Sequence, residues 1–169
     1  MTKKFFSLFI LLAAVAVIFS CGCTGTETAE EGDTVYVQYK GTLNDGTVFD
    51  ESEPGSPLVF TLGANMMIPG FEDAVYGMKI GESKTIHLTP DQAYGYYNPD
   101  YIWNVSRDMI PEDVELYIGG QLIITGTQGD VYPATVLEIS NDTVVIDANH
   151  RMAGKELNFE ITLVDIAKN

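Results

Sequence analysis

The sequence predicts an α+β fold, an antiparallel sheet carrying one short helix, and three observations predict it. Apolar and polar residues alternate in several short runs, the period of a half-buried strand. Turn signals such as Asn44-Asp45-Gly46 separate these runs at hairpin spacing. One segment, opening at Pro69, has the marks of a helix start.

In chain order, residues 34–40 (TVYVQYK) put Val35, Val37 and Tyr39 on one face and Tyr36 and Gln38 on the other, a strand with one buried face. Asn44-Asp45-Gly46 turns the chain and residues 47–50 return as its partner. Residues 51–56 are loop, and 58–62 form another short strand. Pro69 opens the helix, Glu72 and Asp73 lie near its positive end, and Gly77 and Gly81 bound it. Residues 84–88 alternate again, Ile86 and Leu88 opposite Thr85 and His87. The chain then changes character, with Tyr94, Tyr96, Tyr97, Tyr101 and Trp103 inside ten positions. Strand-rich runs follow at 121–125, 131–139 and 143–147, with turns at Gly129-Asp130 and Asn141-Asp142. The last strand, 156–164, turns Leu157, Phe159, Ile161 and Leu163 inward.

Composition bounds the function. The chain of 169 residues is 46% apolar and 20% charged, which is ample for a core and excludes disorder throughout. The length suits one domain, or one domain carrying a small inserted one. Nine Lys+Arg against 24 Asp+Glu give a net charge of −15. Phosphate backbones are bound by clustered cations, so no nucleic-acid partner is expected.

The N-terminus points to export. Lys3 and Lys4 precede an apolar run over residues 5–19 whose only polar member is Ser7. At fifteen residues this run is shorter than the roughly 20 a spanning helix prefers, so residues 1–20 are expected to be an export signal or an uncleaved anchor. Both cysteines of the chain, Cys21 and Cys23, follow a small residue at the end of this run, and either suits a lipid-modified N-terminus. Residues 21–32, mostly small, polar and acidic, are expected to be a flexible tether of about 17–20 Å. The expected location is extracytoplasmic, tethered to the cell membrane by anchor or lipid.

The motifs then become specific. Residues 35–50 (VYVQYKGTLNDGTVFD) resemble the opening signature of FKBP-type peptidyl-prolyl isomerases. Phe60-Thr61-Leu62-Gly63, Met67-Ile68-Pro69-Gly70-Phe71, Gly77-Met78, Gly81-Glu82, Ala93-Tyr94-Gly95 and Leu157-Asn158-Phe159-Glu160-Ile161 follow in that family's order. The stretch between Gly95 and the closing strand is far longer than in a minimal member, and residues 147–155 (DANHRMAGK) resemble the SlyD branch. The resemblance covers residues 33–166. It implies an FKBP-like sheet wrapped on a short helix, residues 33–97 and 148–169, with a small mostly-β insert-in-flap domain at 98–147 that acts as a chaperone.

The same resemblance implies the site. Tyr39, Phe49, Asp50, Met67, Ile68, Phe71, Tyr94 and Phe159 fall on the family's catalytic pocket positions, and Leu58 on a substrate-binding one. Phe71 stands where the best-known members have Trp, and Leu58 where they have an aromatic wall, so macrolide inhibitors should bind less well. The expected activity is peptidyl-prolyl cis-trans isomerisation of exported polypeptides. The alternative is a client-binding chaperone with a vestigial isomerase pocket. No bond is broken in the rotation, so no nucleophile, metal or cofactor is expected. A monomer is expected.

Each of these residues has a plainer explanation. Alternation alone would make Val35, Val37, Tyr39, Leu157, Phe159 and Ile161 core residues of any β-rich fold. His87 is expected to be solvated and His150 to be a turn residue; two histidines 63 positions apart make a poor metal site. The aromatics from Tyr94 to Trp103, Tyr97 and Tyr101 among them, are either packed between two lobes or part of a client groove with Met109, Ile110, Val114, Leu116 and Tyr117. Packing is the favoured expectation, because exposed apolar patches are uncommon.

Overall fold

The computed structural model describes residues 27–125 and 129–169. The apolar leader, Cys21 and Cys23 lie outside these residues. Among the described residues no helix is long and apolar enough to cross a membrane.

The main sheet is built on β1 (Thr34–Leu43). One edge of β1 pairs with β2 (Val48–Glu51) and β3 (Leu58–Thr61), and the other with β9 (Leu157–Ala167) along its whole length; β4 (Ser83–Leu88) closes the far side of β9. All pairings are antiparallel. The alternation in β1 and β9 sends Val35, Val37, Leu157, Phe159, Ile161 and Leu163 into one core. The strand β9 runs past the expected end at residue 164 because a bulge lets the pattern slip. Val37 faces Leu163 and Tyr36 faces Asp165, so Val164 is left unpaired and exposed while Ile166 turns inward. Across this face lies α1 (Pro69–Val75), burying Gly70, Phe71, Glu72 and Val75. Gly70 has a steric reason: a Cβ there would collide with the Leu88 Cδ2.

Between β4 and β9 the chain builds a second antiparallel sheet, ordered β5 (Ile102–Ser106), β8 (Thr143–Asp147), β7 (Val131–Ile139) and β6 (Gln121–Thr125). Its own small core is Ala134, Val136, Val144 and Ile146, with Val105, Ile110, Leu116, Leu122 and Ile124 packed partly against it. Strand β5 was not expected. Its residues Ile102, Trp103 and Val105 belong to the aromatic stretch, where ring content masks the short alternation. The two chain crossings between the sheets are tied together. Asn98 N donates to Asn149 Oδ1 and Asn149 Nδ2 donates to Asn98 O, both at 2.9 Å, and Ala148 N donates to Tyr101 O.

The tether expectation is corrected at its C-terminal end. Residues 28–32 are folded: Ala29 is buried, its N–H donates to Met78 O, and Gly77 N donates back to Ala29 O. Lys168 Nζ clamps this segment, donating to Thr28 O at 2.9 Å and Asp33 Oδ2 at 2.8 Å. Composition could not reveal this, since an acidic segment with one small apolar residue becomes ordered only against a cation 135 positions later. The Lys168 hydrogen bond holds the Asp33 carboxyl below its ordinary value of 3.8. A depressed folded value means that Asp33 stabilises the fold above about pH 4, and that this is lost as pH falls through the lowered value. Thermal melts between pH 5 and 2.5 should therefore show a shallower acid decline for Asp33→Asn than for the wild type.

Candidate active site

A cleft of ≈ 410 Å³ opens between the start of α1 and the main sheet, lined by Tyr39, Asp50, Leu58, Met66, Met67, Ile68, Pro69, Phe71, Ala93, Tyr94 and Phe159. The floor follows from three elements meeting. Phe71 comes up from the first turn of α1, Phe159 from β9 and Tyr39 from β1. Phe71 and Phe159 meet edge-on at 5.3 Å between ring centroids, and Tyr39 meets Phe71 edge-on at 5.7 Å. Such T-shaped contacts match ring edge to ring face and fix each ring against its neighbours. Met67 and Ile68 stand at the entry to the helix, and Leu58 at the start of β3 forms a wall.

Phe49 differs from the expectation. It packs edge-on behind Phe159 at 5.6 Å and does not line the cleft. Gly41 makes this possible, because a Cβ there would fall 2.7 Å from Phe49 Cζ and 3.0 Å from Phe159 Cε1. Met66, Pro69 and Ala93 line the cleft and were missed. Pro69 and Ala93 each adjoin a residue that was chosen, Ile68 and Tyr94.

Two hydroxyls and one carboxylate furnish the apolar walls. The Tyr39 hydroxyl donates to Asp50 Oδ2 at 2.8 Å. Burial first, then this bond and the charge of Asp50, push the Tyr39 phenol up to about 12. The raised value means that the protonated phenol stabilises the fold below about pH 10, a contribution lost as pH climbs through 12. A phenolate absorbance titration should show a step near pH 12 that is missing from Tyr39→Phe. Burial also raises the Tyr94 phenol, helped by Asp50 and opposed by Arg151. Both hydroxyls thus remain donors throughout the neutral range.

His150 is more than a turn residue. Its ring lies flat on Tyr94, with centroids 3.9 Å apart and planes within 6°. Its neighbour Arg151 donates from Nη2 to Phe49 O at 3.1 Å. His87 is exposed as expected, but its Nδ1 is paired with Asn158 Oδ1 at 2.9 Å.

The remaining candidates lie around the second sheet. Met109, Ile110 and Val114 line a groove of ≈ 710 Å³ with Trp103, Val105 and β6 residues. Leu116 packs into the small core, and Tyr97, Tyr101 and Tyr117 are exposed outside the groove. The expectation that the aromatics from Tyr94 to Trp103 pack between two lobes is overturned for four of the five: Tyr96 is 69% exposed, and Tyr97, Tyr101 and Trp103 are also open, while Tyr94 is half-buried against the main core. The crossings are joined by backbone and Asn hydrogen bonds.

This fold and cleft define a class of protein with an apolar pocket walled by aromatic rings and furnished with phenolic hydroxyls. A family profile described as FKBP-type peptidyl-prolyl cis-trans isomerase matches residues 25–164. The chain is 32% identical over 142 residues to the FKBP-type 16 kDa peptidyl-prolyl cis-trans isomerase of Escherichia coli K12, covering 83% of this chain and 95% of that protein. It is 32% identical over 137 residues to the FKBP-type isomerase SlyD of Vibrio cholerae, covering 81% and 68%. It is 30% identical over 137 residues to the short-type peptidyl-prolyl cis-trans isomerase of Methanocaldococcus jannaschii, covering 80% and 84%. The chain belongs to the FKBP-type peptidyl-prolyl cis-trans isomerases.

Proposed function

We propose that this isomerase turns X-Pro bonds of exported polypeptides in the cleft floored by Phe71, Phe159 and Tyr39, while the second sheet grips unfolded client segments. The observation that carries the catalytic part is an apolar cleft whose polar groups are two protonated phenols and one carboxylate. A peptide bond resists rotation by about 18–20 kcal/mol because resonance places charge on its oxygen and nitrogen. Twisting removes that resonance and reduces the charge separation. An apolar cleft therefore favours the twisted amide over the planar one, which is selective stabilisation of the transition state. Lowering the barrier by about 5–7 kcal/mol gives roughly 10⁴–10⁵-fold acceleration. In this reading the Tyr94 hydroxyl holds the substrate carbonyl, and Asp50, through its bond to Tyr39, fixes the polar rim.

The client-gripping part is supported by the groove on the second sheet, where Ile123 is 77% and Met109 76% exposed. Export, membrane attachment through the leader or a lipid at Cys21 or Cys23, and a monomeric state complete the proposal. Uncatalysed prolyl isomerisation takes tens to hundreds of seconds, slow enough to limit folding of newly exported chains. The test is cis-to-trans exchange in a Pro-containing tetrapeptide, followed by NMR with catalytic amounts of protein. Enhanced exchange supports the reading. A folded protein that suppresses aggregation without enhancing exchange would replace it with the chaperone bearing a vestigial pocket.

A further inference from the structure

We propose that His150 is a positioning residue for the prolyl cleft, holding the Tyr94 ring by lying flat against it; this rests on the isomerase reading of that cleft. The two rings are parallel within 6° at 3.9 Å. Tyr94 faces the cleft, whereas His150 lines a separate hollow of ≈ 270 Å³ with Gln121, Thr135 and Asn149. The stacked pair is thus a partition two rings thick, and His150 is the plate on its far side.

The plate is itself fixed from three directions. Met152 N donates to His150 Nδ1 at 3.2 Å, which sets the ring orientation and leaves the neutral ring's proton on Nε2. Ala153 N donates to His150 O, closing a tight turn whose Met152 side chain is buried in the main core. Gly154 N donates to Gly95 O, pinning the turn beside the residue that follows Tyr94. The imidazole is exposed on its outer face, so its removal uncovers little core. What is lost is the support behind a cleft-lining ring, worth about a five- to tenfold effect for one aromatic pair.

Two substitutions of the full-length protein separate this role from that of an ordinary turn residue. His150→Asn keeps a side-chain acceptor for the Met152 N–H and removes the plate. His150→Phe keeps the plate and removes the acceptor. In the tetrapeptide exchange assay, kcat/KM is expected to fall about five- to tenfold for His150→Asn and to stay within about twofold of wild type for His150→Phe. In a Tyr94→Ala background, His150→Asn should add less than about twofold, because the ring it positions is already gone. An active wild type with the reverse order of the two variants would make His150 a turn residue only and overturn the proposal. So would an undiminished His150→Asn effect in the Tyr94→Ala background. A wild type without activity would instead sink the isomerase reading, and this proposal with it.

Discussion

Replacing Phe159 with alanine is expected to slow prolyl exchange about 10–100-fold per folded molecule, equivalent to about 1.4–2.8 kcal/mol of barrier, and to cost about 3–5 kcal/mol of stability. Both effects follow from one position. Phe159 is 4% exposed on β9 and touches Tyr39, Phe49 and Phe71 through ring contacts. Its removal leaves a cavity beneath the cleft and frees the Tyr39 and Phe71 rings that it supports. Water then reaches the substrate amide and restores the solvation that favours the planar form. The stability loss is a large part of a typical 5–15 kcal/mol, so urea unfolding and exchange are measured on the same sample at low temperature. Full catalysis by the folded fraction would make Phe159 a core residue only, as the alternation by itself suggests. Phe159→Leu separates the two roles further, since it fills most of the volume without a ring.

The strands of the main sheet were legible because they are half-buried. Val35 and Val37, or Leu157 and Ile161, advertise their buried face with period two. The helix was legible from Pro69, whose fixed φ suits the first turn. The cleft residues were a different matter. Tyr39 and Phe159 follow the core pattern, and only the family resemblance distinguished them from their neighbours. Phe49 fits the same motif yet stands behind the cleft wall, because its place depends on the missing Cβ of Gly41 across the strand pair. The stacking of His150 on Tyr94 joins residues 56 positions apart, and no local pattern encodes it. The same holds for Lys168 and Asp33. The Val164 bulge is likewise a pairing event, invisible until β1 is laid beside β9. Alternation thus discloses which face of a strand is buried, while polar and aromatic pairs between distant segments emerge only when the chain is closed.

Replacing residues 98–147 with a short loop is expected to leave tetrapeptide exchange within about threefold of wild type and to reduce catalysis of a proline-limited refolding reaction about tenfold or more. The main unit should survive the change. Every buried residue of its core lies outside the excised stretch, and the flanking segments are already neighbours, with Gly154 N donating to Gly95 O across the gap. A short peptide needs only the cleft, so its rate reports Tyr39, Phe71, Tyr94 and Phe159. An unfolded protein is different, because a second weak contact raises the local concentration of its prolines at the cleft without altering the chemistry. On the proposed function, the exposed groove around Met109 and Ile123 makes that contact. The decisive quantity is therefore the ratio of the two rates. Parallel loss on both substrates would mean that the second sheet serves only to brace Tyr94 through residues 149–151. Loss on neither would show that the isomerase works without client gripping. Loss on the protein substrate alone would identify the second sheet as the part that turns a peptide isomerase into a folding catalyst.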